Sequence, residues 1–196
     1  MNKSTLLLLV TLVPALAGCF GAVAVGAGAG ALVYSDRRSA ETMVTDEGIE
    51  LRAGNRISEQ FGSNSHVNVT SYNRTVMLTG EVPDAAAGAA IEKIVAEVPN
   101  VKAISNELQT GPVSSFSARS NDAVTTSKVK ARFVDANRFS ANHVKVVTEA
   151  GTVYLMGMVT QAEANAAVEI ARTTGGVRKV VRIFEIVGDD VVKAGK

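Results

Sequence analysis

Tryptophan is absent from the 196 residues, and aromatics as a whole make up only 5%. That scarcity argues against a deep aromatic pocket or a base-stacking platform. There is one cysteine, so no intrachain disulfide can form. With only two histidines besides, a zinc cage of the usual Cys/His kind is excluded, and no metal or cofactor is expected. Neither charge dominates: 20 Lys and Arg stand against 19 Asp and Glu. A chain so balanced is not a global polyanion binder, and nucleic acid is not an expected partner.

What is present starts with Lys3 and an apolar run from Leu6 to Val13, followed by Leu16-Ala17-Gly18-Cys19. The run falls short of the ~20 residues a transmembrane helix needs. It has the form of a secretory signal over residues 1–18. The segment ending in Cys19 resembles a lipobox, which makes Cys19 the expected lipidation site. Phe20 rather than Asp at the next position implies sorting to the outer membrane. Several acyl chains, each CH₂ contributing about 0.8 kcal/mol, give a durable anchor. Residues 19–45 then read as a lipidated N-terminus and flexible tether. Gly26, Gly28 and Gly30 lie in it but lack the strand–turn–helix setting of a dinucleotide fingerprint.

The rest of the chain repeats itself. Thr75 to Val82 read TVMLTGEV, and Thr152 to Val159, 77 positions later, read TVYLMGMV. His66-Val67-Asn68-Val69 matches His143-Val144-Lys145-Val146 at the same spacing. Alternation of apolar and polar residues predicts paired strands in each copy. Asn73 and Gly151 supply the turns of two hairpins, and Gly80 and Gly157 mark a close backbone approach inside the second strands. Ala-rich helices follow, with Ile91, Ile94, Val95 and Val98 on one stripe and Ala167, Val168 and Ala171 on the other. Pro99-Asn100 and Gly175-Gly176 end them. Last strands are expected over 101–108 and 177–187. An opening helix in each copy presents Ile49, Ala53, Ile57 and Phe61, or Val129, Phe133 and Ala136, to the core. The fold class is therefore α+β: two tandem α-β-β-α-β units, each with helices on one face of a three-stranded sheet. The expected domains are 46–112 and 119–190, joined by a linker at 113–118 and followed by a tail at 191–196.

An α-β-β-α-β unit with Gly, Val and Leu so spaced in its hairpin resembles the BON domain. Two in tandem behind a lipobox resemble the dual BON-domain outer-membrane lipoproteins, over roughly residues 35–187 and most densely in the second copy. The resemblance implies a non-enzymatic protein on the periplasmic face of the outer membrane. It further implies binding of anionic phospholipids such as phosphatidylglycerol, enrichment at the division site and a part in keeping the outer membrane intact. It points to the first helix of the second domain as the lipid-contacting surface, although a Trp of the resembled lipoprotein is replaced here by Val124.

Two differences between the copies bear on function. Residues 46–112 hold five Lys/Arg and nine Asp/Glu, a net of −4, whereas residues 119–196 hold twelve and eight, a net of +4. A basic domain beside a bilayer is drawn to anionic headgroups. Phe61 lies five positions before His66, while Phe133 lies ten before His143, which suggests a five-residue insertion. If the helix continues through it at ~100° per residue, Val124, Lys128, Arg132, Asp135 and Phe139 share a face. Val124, Lys128, Arg132, Arg138 and Phe139 are thus the candidate phospholipid contacts; the alternative for Phe139 is that it folds back into the core. His66 and His143 suggest a shared junction role. Nothing assembles a catalytic set, and no enzyme is expected. The rival function is a protein-interaction adaptor for envelope-assembly or cell-wall machinery, using the acidic first domain.

Overall fold

A computed structural model describes residues 36–188. Cys19, the signal segment and most of the tether lie outside the described residues, as does the pair Asp189-Asp190. The first domain contains α1 (Ala40–Phe61), β1 (His66–Tyr72), β2 (Thr75–Val82), α2 (Ala85–Ala96), β3 (Ala103–Asn106) and β4 (Gln109–Thr110). The second contains α3 (Phe116–Ala136), β5 (Lys145–Glu149), β6 (Thr152–Val159), α4 (Gln161–Arg172) and β7 (Lys179–Ile186). Among the described residues no helix is long and apolar enough to cross a membrane.

Each sheet has its hairpin strands antiparallel and its last strand parallel to the second. The last strand of the first domain is broken into β3 and β4, both paired with β2, so that sheet counts four strands rather than three. The break falls at Leu108: the Glu107 amide still donates to the Leu78 carbonyl at 2.9 Å, whereas the Leu108 amide is taken by the Asn106 side-chain oxygen.

Period-2 alternation sorts each central strand onto two faces. Val76, Leu78 and Val82 of β2 meet Ile49, Ala53, Ile57, Ile91 and Val95 in one core. Val153, Leu155 and Val159 of β6 meet Val129, Phe133, Ala167, Ile170 and Ala171 in the other. The intervening residues face the opposite way. Met77 of β2 and Tyr154 and Met156 of β6 are buried with Tyr72 in a third cluster, which joins the two sheets back to back. The second faces of both sheets are thus consumed by the domain junction, and the helices form the outer layers.

Both hairpin turns have two successive residues in the left-handed region, Asn73 (φ 50°) and Arg74 (φ 65°), then Ala150 (φ 47°) and Gly151 (φ 70°). Such turns match strand twist but strain residues other than Gly. A buried aspartate from each opening helix holds them. Asp46 accepts from the Asn73 and Arg74 amides and from Ser71 Oγ at 2.7–2.8 Å. Asp122 accepts from the Ala150 and Gly151 amides at 2.8 and 2.9 Å.

Gly80 and Gly157 occupy the same place in β2 and β6. A Cβ there would stand 1.9 Å from the His66 carbonyl oxygen, or 2.2 Å from that of His143. Gly80 also has φ +113°, so both close approach and backbone conformation require glycine in the first domain.

The structure revises two boundaries. Residues 36–39 are tied down rather than free, and α1 begins at Ala40, with Ser39 capping the Thr42 amide. The Arg37 guanidinium grips Glu163 at 2.6 and 2.9 Å, while Arg38 grips Asp36 and Asp46 at 2.8 Å. One short segment therefore straps both domains. Likewise α3 starts at Phe116, inside the expected linker, with Ser115 as its cap.

Candidate functional site

The outward face of α3 is the strongest candidate surface. Its core stripe is Asp122, Thr125, Val129 and Phe133; Ala136, expected in that stripe, is exposed because it sits on the last turn beyond the sheet. Opposite the stripe stand Phe116, 80% exposed, and Val134, 65% exposed. Eighteen residues apart, they are in line after five turns. Val124, about 80° round, is 52% exposed. Ser120, Ala123, Ser127 and Ala131 fill the face between them with short, exposed side chains. Lys128 and Lys130 are exposed on its two flanks.

Of the five residues picked out by sequence, Val124 and Lys128 lie on this surface. Arg132 is part-buried, donating to the Ile170 carbonyl at 3.0 Å and to Thr174 Oγ1 at 2.8 Å, so it ties α3 to α4. Arg138 lies beyond the helix and pairs with Glu169 at 2.9 Å. Its hydrogen bond holds the Glu169 carboxyl below the usual range. Phe139 is buried against Phe133, ring centroids 5.0 Å apart and edge to face. The helix does not continue through the supposed insertion: it ends at Ala136, and Asn137 reverses the chain at φ 47°.

The insertion itself shrinks. Asp46, Ile49, Ala53 and Ile57 play the parts of Asp122, Thr125, Val129 and Phe133, so Phe133 corresponds to Ile57 rather than Phe61. From the matched core residue to the histidine, Ile57 to His66 and Phe133 to His143, the second domain is longer by one residue, not five; its helix also stops one residue sooner. The chain after the helix is thereby long enough for Phe139 to turn back into the core.

The two histidines have unlike surroundings. His66 stands directly across the β1–β2 ladder from Glu81, with Nδ1 3.2 Å from Oε2. Glu149, at the end of β5, is buried beside them and accepts a hydrogen bond from the Asn68 amide. Burial raises the Glu149 carboxyl above its ordinary range, and the Glu81 charge adds to this against the opposing Asn68 bond. His66 and Glu149 open onto a cleft of about 440 Å³ between the domains, walled by Arg119, Asp122, Ala123 and Thr126 of α3. At the second histidine, Met158 occupies the register position of Glu81, and His143 Nδ1 lies 3.6 Å from Glu163. Burial would raise the Glu163 carboxyl, yet Arg37, the Thr160 amide and His143 together hold it below the usual range.

Sequence inspection missed Phe116, Lys130 and Val134 because α3 was placed too late and turned toward the wrong residues. It missed Asp46 and Asp122 as well, although their recurrence 76 positions apart was visible.

A family model of the BON domain matches residues 45–112 and again 121–188. The chain is 37% identical over 172 residues to the outer membrane lipoprotein DolP of Haemophilus influenzae, covering 87% of this chain and 89% of that protein. It is 35% identical over 154 residues to a 21 kDa hemolysin of Actinobacillus pleuropneumoniae, covering 78% and 79%. It is 31% identical over 117 residues to the osmotically-inducible protein Y of Escherichia coli, covering 58% of each.

Proposed function

The chain belongs to the BON-domain family, as a two-domain member of the DolP type, and on that premise we propose a non-enzymatic membrane-binding role. It is a lipoprotein acylated at Cys19 and held on the periplasmic face of the outer membrane. Its second domain binds anionic phospholipid, phosphatidylglycerol among them, through the outward face of α3. In that position it supports outer-membrane integrity at the division site.

One observation carries this reading: Phe116, Val124 and Val134 are exposed on a single helix face bordered by Lys128 and Lys130, with Asp135 as the one exposed carboxylate among the described residues of α3. An interfacial helix needs that combination, apolar side chains to enter the acyl boundary and cations to meet the headgroups. Each cation near an anionic surface contributes about 1 kcal/mol. Without Trp, Phe116 is the aromatic on this face that can sit at the interface. Arg132 and Phe139 drop out of the contact set, because they bond to or pack within the second domain, while Arg138, half exposed in a surface pair with Glu169, stays a candidate beyond the end of α3.

Vesicle flotation of the chain from residue 19 onward, with Cys19→Ser to remove the acyl anchor, tests the reading. The protein is expected to float with phosphatidylglycerol vesicles and not with phosphatidylcholine ones, with loss in high salt. Lys128→Glu combined with Lys130→Glu is expected to abolish flotation. Equal flotation with both lipids, or with neither, contradicts the reading.

The adaptor alternative draws on a different observation. Val44 and Leu51 are exposed on α1 among Glu41, Glu47 and Glu59, a surface suited to a basic protein partner. Crosslinking in intact cells that captures one stoichiometric partner, unaffected by the Lys128 and Lys130 changes, favours it.

A further inference from the structure

We propose that His66, Glu81 and Glu149 form a binding site for a divalent transition cation, Zn²⁺ in the first instance, that bridges the two domains. Scarcity of cysteine excludes a thiolate cage but not a set of one imidazole and two carboxylates, all of which are ordinary zinc ligands. The ligand atoms of the three residues already lie within 4.8 Å of one another. Tetrahedral coordination at about 2.1 Å places ligand atoms about 3.4 Å apart. Small side-chain rotations close that difference.

The placement follows from the fold. Antiparallel register sets His66 opposite Glu81, and the back-to-back packing of the sheets brings Glu149 of β5 to Asn68 of β1. The outer shell is in place: Asn68 donates to Glu149, and the Ser114 amide donates to Glu81 at 3.2 Å. Such partners orient ligating carboxylates. His66 and Glu149 face the cleft, which has room for the ion and its remaining water ligands.

Charge supplies the driving force. Buried carboxylates are stable when paired or bound to metal. Among the described residues, no Lys or Arg lies within ion-pair distance of Glu81 or Glu149. The corresponding place in the second domain differs: there Arg37 neutralises Glu163, and Met158 replaces the second carboxylate. The repeat therefore contains its own control, one histidine beside two carboxylates that have no Lys or Arg partner and one beside a carboxylate that Arg37 pairs. A metal at the first would fasten β1 and β2 to β5 beside α3. Arg119, on the cleft wall, is the nearby side chain that competes for the carboxylates.

Calorimetric titration of Zn²⁺ into the untagged Cys19→Ser chain from residue 19 onward tests this, with thermal unfolding as a second readout. One Zn²⁺ is expected per chain, with a rise in Tm. His66→Ala and Glu149→Gln should each weaken binding at least about tenfold, since even outer-shell changes cost that much. His143→Ala should leave it unchanged, and Arg119→Ala should leave it equal or tighter. Should His66→Ala fail to fold, loss of the Zn²⁺-dependent Tm rise in Glu149→Gln and Glu81→Gln serves in its place. Absence of binding, binding indifferent to both glutamates, or an equal loss in His143→Ala overturns the proposal.

Discussion

The two domains share a turn clamp, a strand glycine and a core pattern, yet the exposed charge of their opening helices tips to the acidic side on α1 and to the basic side on α3. On α1, Val44 and Leu51 stand among Glu41, Glu47 and Glu59, with Arg52 and Arg56 also exposed; on α3, Phe116, Val124 and Val134 stand between Lys128 and Lys130, with Asp135 also exposed. Exposed apolar residues occur on both helices, so hydrophobicity alone does not separate them. The sign of the flanking charge does, because it sets whether an anionic surface attracts or repels the face. The junction shows the same division of labour. In the second domain Arg37 satisfies the carboxylate near the histidine; in the first, two carboxylates converge on His66 with no such cation. Duplication supplied one scaffold, and the differences lie where the scaffold leaves side chains free.

The shared parts can be broken first, and there the effects are largest. Gly80→Ala combines a clash at 1.9 Å with a left-handed backbone, and Gly157→Ala only a clash at 2.2 Å. Denaturant unfolding is expected to show a loss of about 3–5 kcal/mol for Gly80→Ala and about 1–3 for Gly157→Ala. Equal losses would mean that backbone conformation at Gly80 contributes nothing. The clamps come next. Asp46 binds two turn amides, Ser71 Oγ and Arg38, whereas Asp122 binds two turn amides. Asp46→Ala unpairs two turn amides and Ser71 Oγ and removes one of the two carboxylates that hold Arg38, Asp36 remaining, and should cost about 2–4 kcal/mol, against about 1–3 for Asp122→Ala. A larger loss at Asp122 would reverse the ranking.

How much of this was legible in the sequence depended on the type of signal. Strand alternation, turn residues and the repeat of TVMLTGEV as TVYLMGMV are local patterns, and the hairpins they imply are present. The position of α3 was less legible. Matching Phe133 to Phe61 by residue type created a five-residue insertion, whereas the buried aspartates, matched by role, leave one extra residue before the second histidine. The error rotated the expected lipid face onto Arg132 and Phe139, which bond or pack inward. The site at His66 depends on Glu149, 83 positions away, and only the docking of one sheet on the other brings it there. No periodicity within a domain encodes that contact. The same holds for Arg37 and Arg38, which look like part of a tether until their distant carboxylates are in view.

The comparison of the two helices can be put to a single test, because Leu51 of α1 and Val134 of α3 are equally exposed at 65%. Leu51→Asp and Val134→Asp each add one charge to an outward face and disturb no core contact. In flotation of the Cys19→Ser chain with phosphatidylglycerol vesicles, Val134→Asp is expected to lose binding and Leu51→Asp to keep it. Loss in Leu51→Asp alone, or equal losses in both, would contradict a lipid-binding face confined to the second domain.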